Sequence, residues 1–208
     1  LFLVLICSVK ISYFYLPLNS PNFQKYFNGY YDYRGVMHIH SRHSDGAKTI
    51  VEISETAKQM NHDFMIITDH NNLEGRVKEW EGYYHTFLTL IDTEISHKWG
   101  HFVLLDAKNK MDFNAFRNFE DPYYDGLKDS FIILAHPTHP GNNPWKNWEA
   151  PIYQGMEIIN YDTMWRQSFR QNPLSFIKAL LSYPVNPKYS AILLYHEPKE
   201  LLERWDAL

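Results

Sequence analysis

Short apolar runs alternate with amphipathic stretches along most of the chain. Five of these runs are too brief for helices and are rich in strand-forming residues. They predict strands at residues 35–40, 63–68, 87–95, 131–135 and 155–160. Between the first two runs, residues 49–61 place apolar side chains at helical spacing with charged residues between them. The pattern predicts a β-α-β unit followed by further strands, and therefore an α/β fold.

Other periodic segments predict the remaining helices. Apolar residues recur at helical spacing in 111–120, 162–171, 173–182 and from 199 onward. The polar stretch at 73–84 contains several aromatic residues and predicts an irregular helix. The short apolar run that begins at Ser190 predicts a strand, with a turn before Pro198.

The N-terminal residues 1–18 differ from the rest because they are almost all apolar and contain a single lysine, Lys10. Such a stretch is typical of a signal peptide or signal-anchor helix. A buried N-terminal strand or helix of the domain is the alternative. We expect residues 19–33 to form a linker and 34–208 to form one catalytic domain. If residues 1–18 are a signal or anchor, the protein would be membrane-anchored or exported. If they are not, we expect it to be cytoplasmic.

Composition limits the classes of protein that fit. With 208 residues and 45% hydrophobic composition, the chain is long enough for one domain with a substantial core. A net charge of -4 gives no support for nucleic-acid binding through phosphates. The single cysteine, Cys7, excludes a disulfide framework and a cysteine-based zinc site. The eleven histidines are the unusual feature.

Histidines occur where predicted strands end. His38 and His40 are two residues apart, so a strand would direct both imidazoles to the same face. His70 and His136 each follow a buried apolar run directly or within two residues. A pair of histidines on a polar strand face is the alternative for the first motif alone. Three strands that end in histidine are improbable as independent events, so the sequence favours a metal site.

The third predicted strand carries Glu94 near its C-terminal end. A glutamate there is costly to bury unless it is paired or bound to a metal. A solvent-facing carboxylate at the sheet edge is the alternative. Imidazoles and carboxylates without thiolates favour zinc, manganese or iron and do not select among them.

The order of these motifs resembles the PHP family, the polymerase and histidinol phosphatase domain. His38-x-His40-Ser-x-x-Ser-Asp45-Gly and the later Thr-Asp69-His70-Asn are similar to its first two motifs. Three further segments are similar to the family's Gly-x-Glu-Ile-Ser, Ala-His-Pro and Gly-Ile-Glu-Val-x-Asn motifs, namely 92–96, 135–137 and 155–160. The resemblance covers roughly residues 34–208.

The resemblance implies a distorted (β/α)7 barrel. The Asp-x-His motif with which the family usually closes its metal site does not occur in this sequence. We therefore expect a fragment whose barrel is incomplete at the C-terminus.

Two or three divalent ions, zinc, manganese or iron, are expected at the site. The predicted metal ligands are His38, His40, Asp45, His70, Glu94 and His136. By resemblance Glu94 bridges two ions, with His38, His40 and Asp45 expected on one side and His70 and His136 on the other. We expect Asp69 and His70 to be catalytic, with Asp69 orienting a ligand or accepting a proton. Three more residues are candidates for a third metal or for an anionic substrate group: His101, His43 and Arg42. His97 is predicted to lie on the surface, and a ligand role for Glu157 is the less favoured interpretation.

Together these features predict a metal-dependent hydrolase. The first expectation is a phosphoesterase that acts on a small organic phosphate through a metal-activated hydroxide. Hydrolysis of carboxylic esters or carbamates by the same fold is the nearest alternative. A non-catalytic, membrane-anchored metal-binding module is the alternative from a different class, and the missing Asp-x-His motif is its basis.

Overall fold

The computed structural model describes residues 26–27, 29–77, 81–108, 111–120, 127, 130–141 and 143–207. The signal or anchor predicted at 1–18 and the first part of the predicted linker lie outside these ranges. The chain divides into two compact units. The first comprises Lys25–Pro137 and Gly141–Glu157, and the described part of the second comprises Thr138–Pro140 and residues 158–207.

The first unit is built on a mixed sheet. Within its described residues the helices are α1 Ile50–Gln59, α2 Glu74–Val77 and α3 Phe113–Asn118. A small antiparallel pair is formed by β1 Tyr26–Phe27 and β2 Tyr30–Tyr31. The main sheet has seven strands in the part of the chain that the structure describes: β3 Gly35–Ile39, β4 Phe64–His70, β5 Gly82–Tyr84, β6 Phe87–His97, β7 Gly100–Leu105, β8 Phe131–Ala135 and β9 Gly155–Met156.

The strand order of this sheet is β3-β4-β6-β7-β8-β9, with β5 beside β6. The β3-α1-β4 unit is parallel, which confirms the β-α-β prediction. The α/β class is likewise confirmed. However, β6 and β7 pair antiparallel across a two-residue turn, and a turn this short cannot return the chain in parallel. The sheet is therefore mixed, and a closed (β/α)7 barrel remains a prediction.

Helix α1 packs one face on the sheet. Thr49 caps its first turn through a capping box with Glu52, which satisfies backbone N–H groups that the helix leaves free. Ile50 and Ala57 are buried on the inner face of α1. They pack in one cluster with apolar residues of β4 and β6: Met65, Ile67, Phe87 and Ile91. This packing holds the parts of β4 and β6 that precede His70 and Glu94, the predicted ligands on these two strands.

The irregular helix predicted at 73–84 is wrong in its second half. The described part of the helix is Glu74–Val77, and Gly82–Tyr84 form β5, which pairs antiparallel with the start of β6. Tyr83 and Tyr84 are strand-forming residues, and their backbone groups find ladder partners in β6. Tertiary pairing therefore outweighs the local pattern.

The described part of the second unit contains four helices: α4 Tyr161–Gln171, α5 Pro173–Ser182, α6 Pro187–Leu194 and α7 Lys199–Asp206. The predictions for α4, α5 and α7 are confirmed. The strand predicted from Ser190 is wrong, because Asn186 caps a helix there and Pro187 occupies its first position. Among the described residues, no helix is both long enough and apolar enough to cross a membrane.

Candidate metal centre

Glu94 lies at the centre of a cluster of histidines in the first unit. Its side chain is completely buried in the middle of the sheet, on β6. One carboxylate oxygen, Oε2, faces three imidazole nitrogens: His38 Nε2 at 3.1 Å, His40 Nε2 at 3.2 Å and His70 Nδ1 at 3.2 Å. The other oxygen, Oε1, faces His101 Nδ1 at 2.8 Å and His136 Nε2 at 3.0 Å. Each of the two oxygens therefore contacts its own set of histidines.

Strand register brings three of these histidines to Glu94. His70 is the direct neighbour of Glu94 in the parallel β4–β6 ladder. His101 pairs with Ser96 across the β6–β7 hairpin, and Ser96 shares a sheet face with Glu94 because side chains alternate along a strand. His101 also pairs with Ala135 of β8, so His136 follows immediately beside it. The sequence expectation grouped His70 with His136, whereas the structure places His70 beside His38 and His40.

His38 and His40 reach Glu94 through an irregular strand end. The β3–β4 register shifts between Val36 and Ile39, and His38 has a positive φ of 59°. His40 comes directly after β3. His136, at the end of β8, has a positive φ of 33°. A non-glycine residue in such a conformation costs roughly 1–3 kcal/mol, and residues of this kind concentrate at functional sites.

The loop after His40 is held by Asp69, which is 2% exposed. The Asp69 carboxylate accepts hydrogen bonds from the Ser41 backbone N–H and hydroxyl and from the Ser44 hydroxyl. Gly46 closes the loop, since its N–H donates to the Ser41 carbonyl at 2.9 Å. The structure thus gives Asp69 the contacts of a residue that orients the loop between the first ligands.

The remaining predicted site residues lie farther from Glu94 than the five histidines that contact it. Asp45 is exposed, with its Oδ1 3.3 Å from His40 Nδ1 and its Oδ2 3.7 Å from His70 Nε2. His43 Nδ1 lies 3.5 Å from Glu74, and Arg42 Nε donates to the Ala47 carbonyl. The structure therefore brings Asp45 to the rim of the cluster and gives His43 and Arg42 other neighbours.

Two further residues make contacts that the sequence did not predict. Glu157, the less favoured ligand, accepts hydrogen bonds from His38 Nδ1 and from the His136 backbone N–H. His97, predicted to lie on the surface, is buried, stacks on Phe119 and contacts the Phe119 carbonyl through Nε2. The surface prediction for His97 is wrong because Phe119, which covers it, is distant in sequence. The available signal for Glu157 was only that it falls within the strand predicted at 155–160.

The cluster shifts the pKa values of its members. Burial alone would raise the pKa of Glu94, but contacts with His101, His136, His38 and His40 lower it far below its usual range. Burial alone would lower the pKa of His38, yet Glu157 and Glu94 raise it to about 10. Burial lowers the pKa of His70. Glu94 is therefore a fixed negative charge that the histidines surround.

The donor set fits divalent metal ions. Three groups have ligand atoms that all lie within 4.8 Å of one another: His38, His40 and Glu94; His40, Asp45 and His70; and His70, Glu94 and His101. Oxygen and nitrogen ligands about 2.0–2.1 Å from a tetrahedral ion stand roughly 3.3–3.4 Å apart, close to the distances around Oε2. Glu94 Oε2 and His70 Nδ1 are buried and make no hydrogen bond within the described residues. Both are thus available as metal ligands.

Comparison with known families agrees with this geometry. The family model of the PHP domain matches residues 37–127, which include β4, β6, β7 and the loop from Ser41 to Gly46. This part of the chain is similar to the PHP domain family. The matched segment contains His38, His40, His70, Glu94 and His101, while His136 and Glu157 lie beyond it.

Among solved structures, the chain is similar to a two-domain protein from Bacteroides vulgatus that contains a predicted PHP-like metal-dependent phosphoesterase. The identity is 17% and the TM-score 0.41, over 67% of this chain and 49% of the other. The chain thus spans about half the length of that protein. No curated protein matches the sequence.

Proposed function

We propose that this protein is a metal-dependent hydrolase, and that its substrate is a phosphoester of a small organic molecule. The observation that carries the proposal is the buried carboxylate of Glu94, with one set of histidines at each oxygen. A carboxylate that faces ligands on both sides suits a bridge between two divalent ions. The PHP family match over residues 37–127 supports the same assignment.

The residues of the cluster would have different roles as metal ligands. Glu94 would be shared by both ions, His38, His40 and His70 would hold one of them, and His101 and His136 would hold the other. When bound, divalent ions lower the pKa of coordinated water and supply a nucleophile near neutral pH. A serine or cysteine nucleophile is then unnecessary.

The other residues would keep the ligands in place and receive the substrate. Asp69 fixes the loop of Ser41 and Ser44 by hydrogen bonds. Asp45 is exposed at the rim, where it can complete a third metal position with His40 and His70. Arg42 and His43 lie on the same loop and are candidates for an anionic group of the substrate, because guanidine and imidazole N–H groups can donate hydrogen bonds to phosphate oxygens.

The first experiment measures how much metal the protein binds. Wild-type protein and a His38→Ala/His40→Ala double variant are loaded with zinc or manganese, and bound metal is measured by mass spectrometry. We expect at least two equivalents in the wild type and a loss in the variant. His85→Asn is the matched control, because His85 is exposed and its positive φ of 55° is one that asparagine tolerates.

A substrate panel then tests the reaction. We expect the metal-loaded protein to hydrolyse phosphomonoesters or phosphodiesters such as nitrophenyl phosphates. Hydrolysis of naphthyl acetate without phosphatase activity would instead assign an ester hydrolase. Metal binding without hydrolysis of any substrate would favour a non-catalytic metal-binding module.

A further inference from the structure

Glu157 contacts two histidines that come from different strands. Its Oε1 accepts a hydrogen bond from His38 Nδ1, and its Oε2 accepts one from the His136 backbone N–H at 2.7 Å. The Glu157 N–H itself donates to the Leu134 carbonyl at 2.9 Å, which extends the pairing of β8 with β9. Both carboxylate oxygens are therefore engaged by residues of the cluster.

The contact with Glu157 determines which nitrogen of His38 faces the cluster. Nδ1 donates to Glu157, so it carries a hydrogen, and Nε2 is the nitrogen that lies 3.1 Å from Glu94 Oε2. A ring nitrogen that donates to a carboxylate is not free to ligate a metal, whereas the opposite nitrogen is. The ring is thus held with Nε2 toward the position that an ion would occupy.

We propose that Glu157 is a positioning residue of this metal centre, which fixes His38 with hydrogen on Nδ1 and ties it to the backbone of His136. The inference rests on the proposed function in that it concerns the same centre. It assigns Glu157 a role other than that of a ligand, because its two oxygens already accept hydrogen bonds.

The same contact explains how two strained residues are retained. His38 and His136 both have positive φ values, 59° and 33°. Such conformations persist where surrounding interactions over-determine them. Glu157 supplies one such interaction to each residue, a side-chain bond for His38 and a backbone bond for His136.

Glu157 also links the two ends of the sheet. β3 and β9 stand first and last in the strand order, and Glu157 is the residue that follows β9. Its bond to His38 therefore joins the first strand to the last. Aspartate is one methylene shorter, so we expect Glu157→Asp to lose one of the two contacts.

The first test compares metal affinity in three variants. Glu157→Ala removes both acceptors, Glu157→Gln keeps an amide oxygen that can accept from His38, and Glu120→Gln is the exposed control. We expect Glu157→Ala to weaken zinc binding by about 10–100-fold without changing the number of ions bound. Glu157→Gln should weaken it less, and Glu120→Gln should not change it. The absorption spectrum of the cobalt-loaded protein should report an altered ligand field only in the Glu157 variants.

A second measurement does not depend on metal. In the metal-free protein labelled with ¹⁵N-histidine, NMR should show a Nδ1–H of His38 that is protected from solvent exchange in the wild type. This protection should persist in Glu157→Gln and disappear in Glu157→Ala. An unprotected Nδ1–H in the wild type would overturn the proposal.

The metal experiment supplies two further outcomes that overturn it. Zinc affinity that is unchanged in Glu157→Ala would remove the positioning role. Loss of a whole metal equivalent in both Glu157→Ala and Glu157→Gln would make Glu157 a ligand. A wild-type protein that binds no metal would overturn the proposed function, and the Nδ1–H resonance would still decide whether Glu157 orients His38.

Discussion

The carboxylate of Asp69 binds Ser41 twice, at 2.7 Å through the backbone N–H and at 2.6 Å through the hydroxyl. Ser44 adds a third hydrogen bond at 2.5 Å. Asp69 immediately precedes His70 on β4, while Ser41 immediately follows His40. The bonds therefore fix the spacing between two histidines of the Glu94 cluster that come from different elements.

Replacing Asp69 with asparagine should weaken this loop. An amide nitrogen cannot accept a hydrogen bond, so at least one donor of the loop loses its partner. We expect Asp69→Asn to cost about 2–4 kcal/mol in the free energy of unfolding and to lower metal affinity. Denaturant unfolding of the metal-free protein and zinc titration measure the two effects. Normal stability and metal binding with loss of hydrolysis would instead identify Asp69 as a proton acceptor.

Gly46 should tolerate no side chain. A Cβ atom at this position would stand 2.0 Å from the His40 carbonyl oxygen, which is backbone and cannot move aside. We expect Gly46→Ala to displace the loop and to reduce metal affinity by at least tenfold, measured by zinc competition. Gly155→Ala is the control, because a Cβ there would meet Ile133 at 3.6 Å, an ordinary contact. Equal affinity in the two variants would contradict the loop's role.

Mutation should remove the metal position near one oxygen of Glu94 without removing the position near the other. We expect His101→Ala to lose the ion near Oε1 and His40→Ala to lose the ion near Oε2, so that each variant retains metal. Glu94→Gln should lose both, because Glu94 is shared. Metal equivalents per chain, measured by mass spectrometry, distinguish these cases. Complete loss of metal in either histidine variant would show that the positions do not fill independently.

The stability of the metal-free protein should depend on pH through His38. Its pKa of about 10 exceeds the ordinary value of 6.5, so the folded state holds the proton more tightly than the unfolded state. The resulting stabilisation is fully present below pH 6.5 and is lost as the pH rises through 10. We expect the free energy of unfolding to fall by up to about 1.4 kcal/mol per pH unit across this window.

Two measurements check the role of His38. Urea unfolding at several pH values should show a slope that His38→Gln lacks. Zinc binding near pH 8 should release a proton, visible as a dependence of the calorimetric enthalpy on the buffer. The pKa of His70 is lowered by burial, so protonation of His70 costs stability on the acid side instead. A flat profile above pH 7 in the wild type would contradict the assignment to His38.

His97 should matter for stability and not for metal. Its Nε2 contacts the Phe119 carbonyl at 2.9 Å, and its Nδ1 accepts the Trp99 N–H at 3.1 Å. We expect His97→Ala to cost about 2–4 kcal/mol in unfolding free energy, since it leaves a cavity and a buried carbonyl without its partner. Metal content should equal that of the wild type. A lower metal content in the folded variant would show that His97 supports the centre.

Local patterns were sufficient for much of the fold. Thr49 and Asn160 accept the first backbone N–H groups of α1 and α4, and Pro173 begins α5, so these helices are encoded within one turn of their ends. The apolar runs of β4 and β8 are likewise local features. In contrast, β5 depends on pairing with β6, and α6 depends on the cap at Asn186, which precedes an apolar run that also suits a strand.

In the candidate site, too, some features follow from the local sequence and others depend on the rest of the fold. The spacing of His38 and His40 and the strand ends at His70 and His136 were visible in the sequence, because residue type and strand position carry the information. The positive φ values of His38 and His136 were not, since histidine does not require such a conformation. The contacts of Glu157 depend on strands that are distant in the chain, so no local pattern could indicate them.

The position of Glu94 inside the sheet has a kinetic consequence. β6 lies between β4 and β7, whereas β3, which carries His38, ends the strand order. Terminal strands open more readily than interior ones, so β3 should open more often than β7 or β8. We therefore expect an ion near Oε2 to dissociate faster than one near Oε1, and isotope exchange of bound zinc should occur in two phases.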